Sequence, residues 1–439
     1  MIWLIAAAFA DDLGLDRVLS SVEQHHPALL AELQRVASAE ADVLSARGAF
    51  DPTLKEKTTW TPVGDYPSVR NQAWVEAPTA LYGATLSAGH DVGIGKFPDY
   101  KGDYETGDLG EVWAQVDVPL LKDGPIDRRR QTVRRANLEI TNAEAGVLAR
   151  RLELRRAAAQ RYWDWVAAGQ RLRIAENLLT LADSRDRQLV ARVAAGDLAE
   201  FDRQDNQRLV YQRTARKIEA ERSFQKSQLD LSLFLRGDDG APLLAPITQV
   251  PASLPSIPAP EANPVPTRPE LARLDAARRQ AELDRRLAQN QVLPGLNLVV
   301  GATGDLAGEA LPELDAGVVA SWPAPMRAAR GRIRSAEAAL NRIAQETRLQ
   351  NDRIVQEIAD ATSALRAATA RVDAISAEAE LSKTLEEGER KRFTLGDSNL
   401  IFVNTREIAT ADAEAQRITA IADGWKAWAD LEAAIGRLP

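Results

Sequence analysis

Arg392-Phe393-Thr394-Leu395-Gly396-Asp397-Ser398 lies between two long stretches of helical pattern, and nearly the same turn stands earlier as Arg192-Val193-Ala194-Ala195-Gly196-Asp197. A glycine in that position suits the left-handed residue that ends a helix, and Asp397 or Ser398 suits the N-cap of the next one. Outward from the later turn, Arg332 to Glu387 holds neither Gly nor Pro, so nothing interrupts a helix. At ~1.5 Å per residue such a run reaches about 80 Å, too long for an ordinary globular domain. Ile354, Ile358, Ala361, Leu365, Ala368, Val372, Ile375 and Ala379 follow in steps of four and three. That is a coiled-coil seam with many small residues, which lets neighbouring helices approach closely. The return stretch carries Ile408, Ala411, Ala415, Ile418, Ile421, Trp425, Trp428 and Leu431 at similar spacing.

The pattern occurs twice. Arg192 and Arg392, Gly196 and Gly396, and Asp197 and Asp397 are each 200 positions apart, as are Ala136 and Ala336, and Leu231 and Leu431. Pro27 to Pro52 spans 25 positions, and so does Pro269 to Pro294. The order helix, strands, long helix, turn, long helix is therefore expected over residues 11–236 and again over 270–439. Prolines recur from Pro242 to Pro269, so 237–269 reads as an extended linker along the surface. The first helix is expected over 13–48, ending at Gly48.

Between Pro52 and Pro119 the period changes from helical to two. Val112, Ala114, Val116 and Val118 alternate with Trp113, Gln115 and Asp117, and Tyr82, Ala84, Leu86 and Ala88 alternate with Gly83, Thr85 and Ser87. Strands 53–119 could number two long or four shorter ones. The first candidate, 53–60, carries Lys55, Glu56 and Lys57 and makes a poor lipid-facing strand, and 92–109 reads as an exposed loop. A shorter strand region, 295–323, presents Leu296, Leu298 and Val300, then Ala316, Val318, Ala320 and Trp322, around a loop at 301–312. Alternation suits a strand between lipid and water, and equally a half-buried sheet in a soluble domain.

Composition narrows the function classes. A formal charge of −8 and a pI near 5.3 argue against a general nucleic-acid binder. No cysteine is present, which excludes disulfides and thiolate metal sites. Met1 to Ala10 is apolar and ends in Ala8-Phe9-Ala10, the pattern of a signal-peptidase site, though the basic n-region is missing. A mis-called start or a buried N-terminal strand is the competing reading. No later run of ~18 apolar residues exists, so a membrane could be spanned only by strands.

No catalytic constellation stands out. His25, His26 and His90 are the only histidines, and no cofactor or metal site is expected. Arg128, Arg129, Arg130, Arg134 and Arg135 form a cluster that reads as a solvated helix face or as a binder of anionic lipid heads or substrate. Asp202 and Asp205 share a helix face at i and i+3, either solvated or forming an acidic constriction near the tip of a pore, with Arg203 and Arg208 as nearby partners.

The duplicated order, the two turns, Val118-Pro119-Leu120-Leu121-x-Asp-Gly and the closing Leu431-Glu432-Ala433-Ala434-Ile435-Gly436 together resemble the outer-membrane efflux proteins of the TolC family. The resemblance covers nearly the whole chain. It implies a homotrimeric exit duct with a β-barrel in outer-membrane lipid and a long α-helical barrel reaching into the periplasm. In that family the helix tips meet a periplasmic adaptor that belongs to an inner-membrane transporter. Carried over, the docking tips are Arg192, Val193, Gly196, Asp197, Arg392, Phe393, Gly396 and Asp397, and the periplasmic aperture falls on Asp202 and Asp205. The second copy departs, with Phe402 and Thr405 at the positions 200 residues on.

Four strands, or six if the first region holds four, cannot close a membrane barrel alone, so an oligomer is expected. From four strands each, three chains would give about twelve and two would give eight. The choice of three rests on the resemblance. A periplasmic adaptor, with one hairpin, and a coiled-coil scaffold without a pore are the rival readings.

Overall fold

The computed structural model describes residues 12–98, 105–196, 199–259, 268–306, 312–322 and 324–437. The leader reading at Met1–Ala10 and the tip residue Asp197 lie outside them. Two compact units are formed, each from several chain segments.

One unit gathers the described residues of Met1–Leu33, Gly146–Pro269 and Gln350–Pro439. Helix α1 (Leu15–His25) is separate from α2 (Pro27–Arg47), where one helix was expected over 13–48. The cause is Pro27, which cannot donate to the preceding turn and pushes His26 out of the helical region, to φ −74° and ψ 118°. The unit holds most of α3 (Arg128–Ala194), α4 (Glu200–Ser232), the greater part of α6 (Arg327–Thr394) and α7 (Leu400–Ile435). Ile354, Ala361, Leu365 and Ala379 of the expected seam are buried, and Ala361 and Leu365 pack with Leu431 and Ile435 of α7.

Residues 237–259 cross these helices as a strap that is partly buried. Val250 and Ala245 are core residues. Trp165 Nε1 and Gln228 Nε2 donate to the Ala245 carbonyl at 3.3 and 2.7 Å, and Arg173 donates to the carbonyls of Ile247, Val250 and Pro251. Small residues make the crossing possible: a Cβ on Gly169 would stand 2.6 Å from Val250 Cγ2, and one on Gly424 would collide with Ile257. Apart from a 3-10 turn at Ile247–Gln249, the prolines favour an extended path while the strap's carbonyls find side-chain donors. Beneath it, Tyr162 donates to the Leu13 carbonyl at 2.8 Å, and burial pushes its phenol up to about 12.

The other unit, Gln34–Ala145 with Glu270–Leu349, contains the sheet. Its strands are β1 (Thr53–Thr61), β2 (Ser68–Pro78), β3 (Thr85–Gly95), β4 (Glu111–Pro119), β5 (Gly295–Asp305) and β6 (Glu313–Ser321), antiparallel in sequence order. The first region therefore holds four strands, and the charged stretch 53–60 is one of them. The expected loops shrink, because β3 runs to Gly95 and β5 to Asp305. Strands from the two halves of the chain meet at the β4–β5 seam, where Val116 faces Val300. Helix α5 (Pro269–Asn290) precedes β5.

Candidate functional site: helix tips and a two-faced sheet

Register decides what each sheet face carries. Residues aligned across strands project to the same side. Leu54, Val75, Ala88, Ala114, Ala302 and Leu314 form one such row. The neighbouring row on that face is Ala77, Leu86, Val116, Val300 and Ala316, followed by Val118, Leu298 and Val318. Only near the β1 edge and the loop end do Glu56, Thr58, Asn71 and His90 interrupt it. Among the described residues none covers this face: Leu314 is 80% and Val318 62% exposed.

The opposite face is polar and cross-linked. Lys55 pairs with Glu76, and Asp91 accepts from Arg70, Gln72 and Trp113 Nε1 at 3.0, 2.8 and 3.2 Å. Asn297 donates to Asp117 at 2.8 Å. Lys55 and Lys57 belong to this side, which is why a strand with those charges is admissible. The outer edges of β1 and β6 have no partner strand among the described residues.

At the sheet's helix end, the Pro119–Asp127 connection forms a tight joint. Asp123 adopts φ +67° and its N–H donates to Asn290 Oδ1 at 2.7 Å. Arg130, from the arginine cluster, donates to the carbonyls of Asp123 and Gly124 at 2.9 and 2.6 Å and pairs with Asp127. Arg130 is thus structural, while Arg128, Arg129, Arg134 and Arg135 stay exposed.

The tips belong to the helical unit. At the later one, Gly396 sits at φ +85°, its N–H donates to Phe393 O at 3.1 Å, and Asp397 N–H donates to Arg392 O at 2.9 Å. This is the Schellman pair that closes a helix on a left-handed residue. The earlier tip shows Gly196 at φ +78° with the matching bond to Val193 O at 3.0 Å. The N-cap of α7 is Asn399, whose side chain accepts from Phe402 N–H, in place of the expected Asp397 or Ser398; α4 starts after Ala199 without a side-chain cap. Arg192, Arg392 and Asp397 are exposed and Val193 half-buried.

Sequence reasoning named Phe393 at the tip but not the exposed apolar set around it: Phe201 is 76% and Leu395 78% exposed, joined by Ile401 and Phe402. Asp202 is exposed and Asp205 half-buried. Asp205 pairs with Arg208 at 3.1 Å, whereas Arg203 pairs with Glu200, leaving Asp202 outside both ion pairs.

Sequence reasoning also missed a buried carboxylate behind the tips. Glu407 of α7, 2% exposed, receives Arg185 of α3 at 2.6 and 3.1 Å, Arg213 of α4 at 3.0 Å and Arg390 of α6 at 3.3 Å. One side chain therefore binds all four long helices. Burial pushes its carboxyl up, but hydrogen bonds and charge from Arg185 and Arg213 outweigh this and hold it below the usual glutamate value.

No protein-family model and no curated protein sequence matches the chain. Solved structures do. The outer membrane protein VceC of Vibrio cholerae aligns over 96% of this chain and 96% of its own, at 16% identity and TM-score 0.66. The open state of the Neisseria gonorrhoeae MtrE outer membrane channel aligns over 99% and 94%, at 16% identity and TM-score 0.66. This is the fold of an outer-membrane channel. The Campylobacter jejuni CmeC outer membrane channel agrees, over 96% and 85%, with TM-score 0.65 at 13% identity. The channel fold accounts for the mainly helical chain with its one antiparallel sheet, and the resemblance read from the sequence holds at that level. No helix among the described residues is long and apolar enough to cross a membrane.

Proposed function

We propose that the chain is one subunit of a passive exit duct in an outer membrane, whose sheet joins those of other copies into a transmembrane β-barrel. The observation that carries this reading is the sorting of the sheet into an uncovered apolar face and a cross-linked polar face, with both edges open. In lipid every backbone group needs a partner, so open edges call for closure by further chains. Six strands per chain would give eighteen from three copies, in place of the twelve expected from four strands each. The trimer follows the family resemblance. The exposed apolar tips, with Arg192, Gly196, Arg392, Phe393 and Gly396, would dock on a periplasmic adaptor serving an inner-membrane transporter. Residues 11–236 and 270–439 would be the two structural repeats of the subunit. A pore-free scaffold has no use for the apolar sheet face. Native mass spectrometry in detergent tests the assembly: a trimer is expected, and a stable folded monomer would sink the reading.

A further inference from the structure

The arginines at the helix end of the sheet have no role in the duct as described. Arg128, Arg129, Arg130, Arg134 and Arg135 open α3, and Arg327, Arg330, Arg332 and Arg334 open α6; neither helix has an acid in its first ten residues. Positive charge at a helix start opposes the macrodipole, so helix stability does not explain them. Arg130 is committed to the Asp127 joint and Arg135 to Asp284 at 3.2 Å. The others are exposed, as is Arg286 near the end of α5, and none of these makes an ion pair with a described residue.

Their setting points to one kind of partner. Trp322, 68% exposed, and Tyr82 stand at this end of the sheet, where aromatic side chains mark a membrane boundary. Arg327 follows Trp322 by five residues. Between α3 and α5 lies a cleft of about 510 Å³ where Arg134 and Arg286 stand with Leu138 and Leu283; its one acid, Glu282, is paired with Arg278 at 2.7 Å, and its third arginine, Arg279, with Asp275 at 2.7 Å. Guanidinium groups match phosphate in charge and bidentate geometry, and the leucines offer a surface to the first carbons of an acyl chain.

We propose that this belt holds the phosphodiester heads of anionic glycerophospholipids in the leaflet at the helix end of the sheet, with the α3–α5 cleft as its most defined site. The inference rests on the sheet being the membrane-spanning part. It goes beyond the duct reading by assigning a ligand class and residues.

The test uses the full chain reconstituted in vesicles of equal parts phosphatidylglycerol and phosphatidylcholine, then released in detergent for native mass spectrometry of retained lipid. Wild type should retain phosphatidylglycerol in excess. The variant Arg134→Gln with Arg286→Gln should lose that excess by on the order of fivefold per arginine removed. Arg134→Lys with Arg286→Lys should keep most of it, and Arg187→Gln with Arg353→Gln, with the same charge loss elsewhere, should leave it unchanged. Equal retention of both lipids by wild type, or an excess untouched by the Gln pair, overturns the site. Full displacement by inorganic phosphate would mean a free-anion site and also overturns it. Conduction in phosphatidylcholine alone without lipid preference removes this inference only. Failure to insert into vesicles of either composition removes the membrane reading and this one with it.

Discussion

Replacing Glu407 should loosen the tips of all four long helices. The side chain is almost wholly enclosed and satisfies Arg185 and Arg213 directly, with Arg390 at its rim. Arg213 is itself 3% exposed, and its Nε already lacks a hydrogen-bond partner. Glu407→Ala would strand a buried guanidinium as well as open a cavity, and breaking a buried pair from one side costs about 3–5 kcal/mol. Glu407→Gln, which keeps an acceptor but not the charge, should cost less. Removing both charges with Glu407→Leu and Arg213→Met should recover part of the loss, because the most deeply buried guanidinium goes with its carboxylate and Arg185, which is partly exposed, keeps Asn404 as an acceptor.

The carboxyl is held below its ordinary value of 4.5 in the folded chain. Its contribution is therefore complete above the unfolded value and is lost as pH falls from there through the folded one. Hydrogen exchange on the peptides flanking 185, 213, 390 and 407, measured at neutral pH and in acid, reads this directly. Protection should drop in Glu407→Ala at neutral pH and in wild type only in acid. If Glu407→Ala changes tip protection by less than about 1 kcal/mol, the network does not hold the helices and the reasoning fails.

Other expectations follow from the faces and the tips. Val318→Arg, on the apolar face, should cost about 2–4 kcal/mol in lipid, whereas Val319→Arg on the polar face should be tolerated; equal effects would refute the face assignment. Gly196→Pro or Gly396→Pro, which cannot keep a positive φ, should leave assembly intact and abolish export, with adaptor crosslinks near 196 and 396 in wild type as the positive control. Crosslinks confined to the strand loops would move the docking site there. Asp202→Asn with Asp205→Asn should reduce cation selectivity in planar-bilayer recordings; unchanged selectivity would return the pair to a solvated helix face.

The helices and their turns were legible because their signals are local: a long run without Gly or Pro, then a glycine where φ must be positive. The N-cap was not, because Asp397, Ser398 and Asn399 are all good caps and only the path of the turn selects Asn399. The charges of β1 obscured the strand count, since alternation assigns Lys55 and Lys57 to one face but not which face meets water; the register with β2 supplies that. Glu407 looked like one more acid on an alanine-rich helix. It stands four residues before Ala411, on the seam, where a charge needs a partner, but Arg185 and Arg213 come from 222 and 194 positions away. The tip phenylalanines were visible as residues but not as an exposed set, because exposure depends on how the hairpins close.

The β4–β5 seam sets an order of events for a chain made from its N-terminus. Strands β1 to β4 all lie within residues 53–119 and can pair as soon as they exist, while β5 lies about 180 residues later, beyond two long helices. Pairing across such a separation is slow to close. Until then the half-built sheet presents its apolar rows and the free edge of β4, a template for any passing strand. A fragment that ends before β5 therefore keeps both the unpaired β4 edge and the exposed apolar rows, and should aggregate through them.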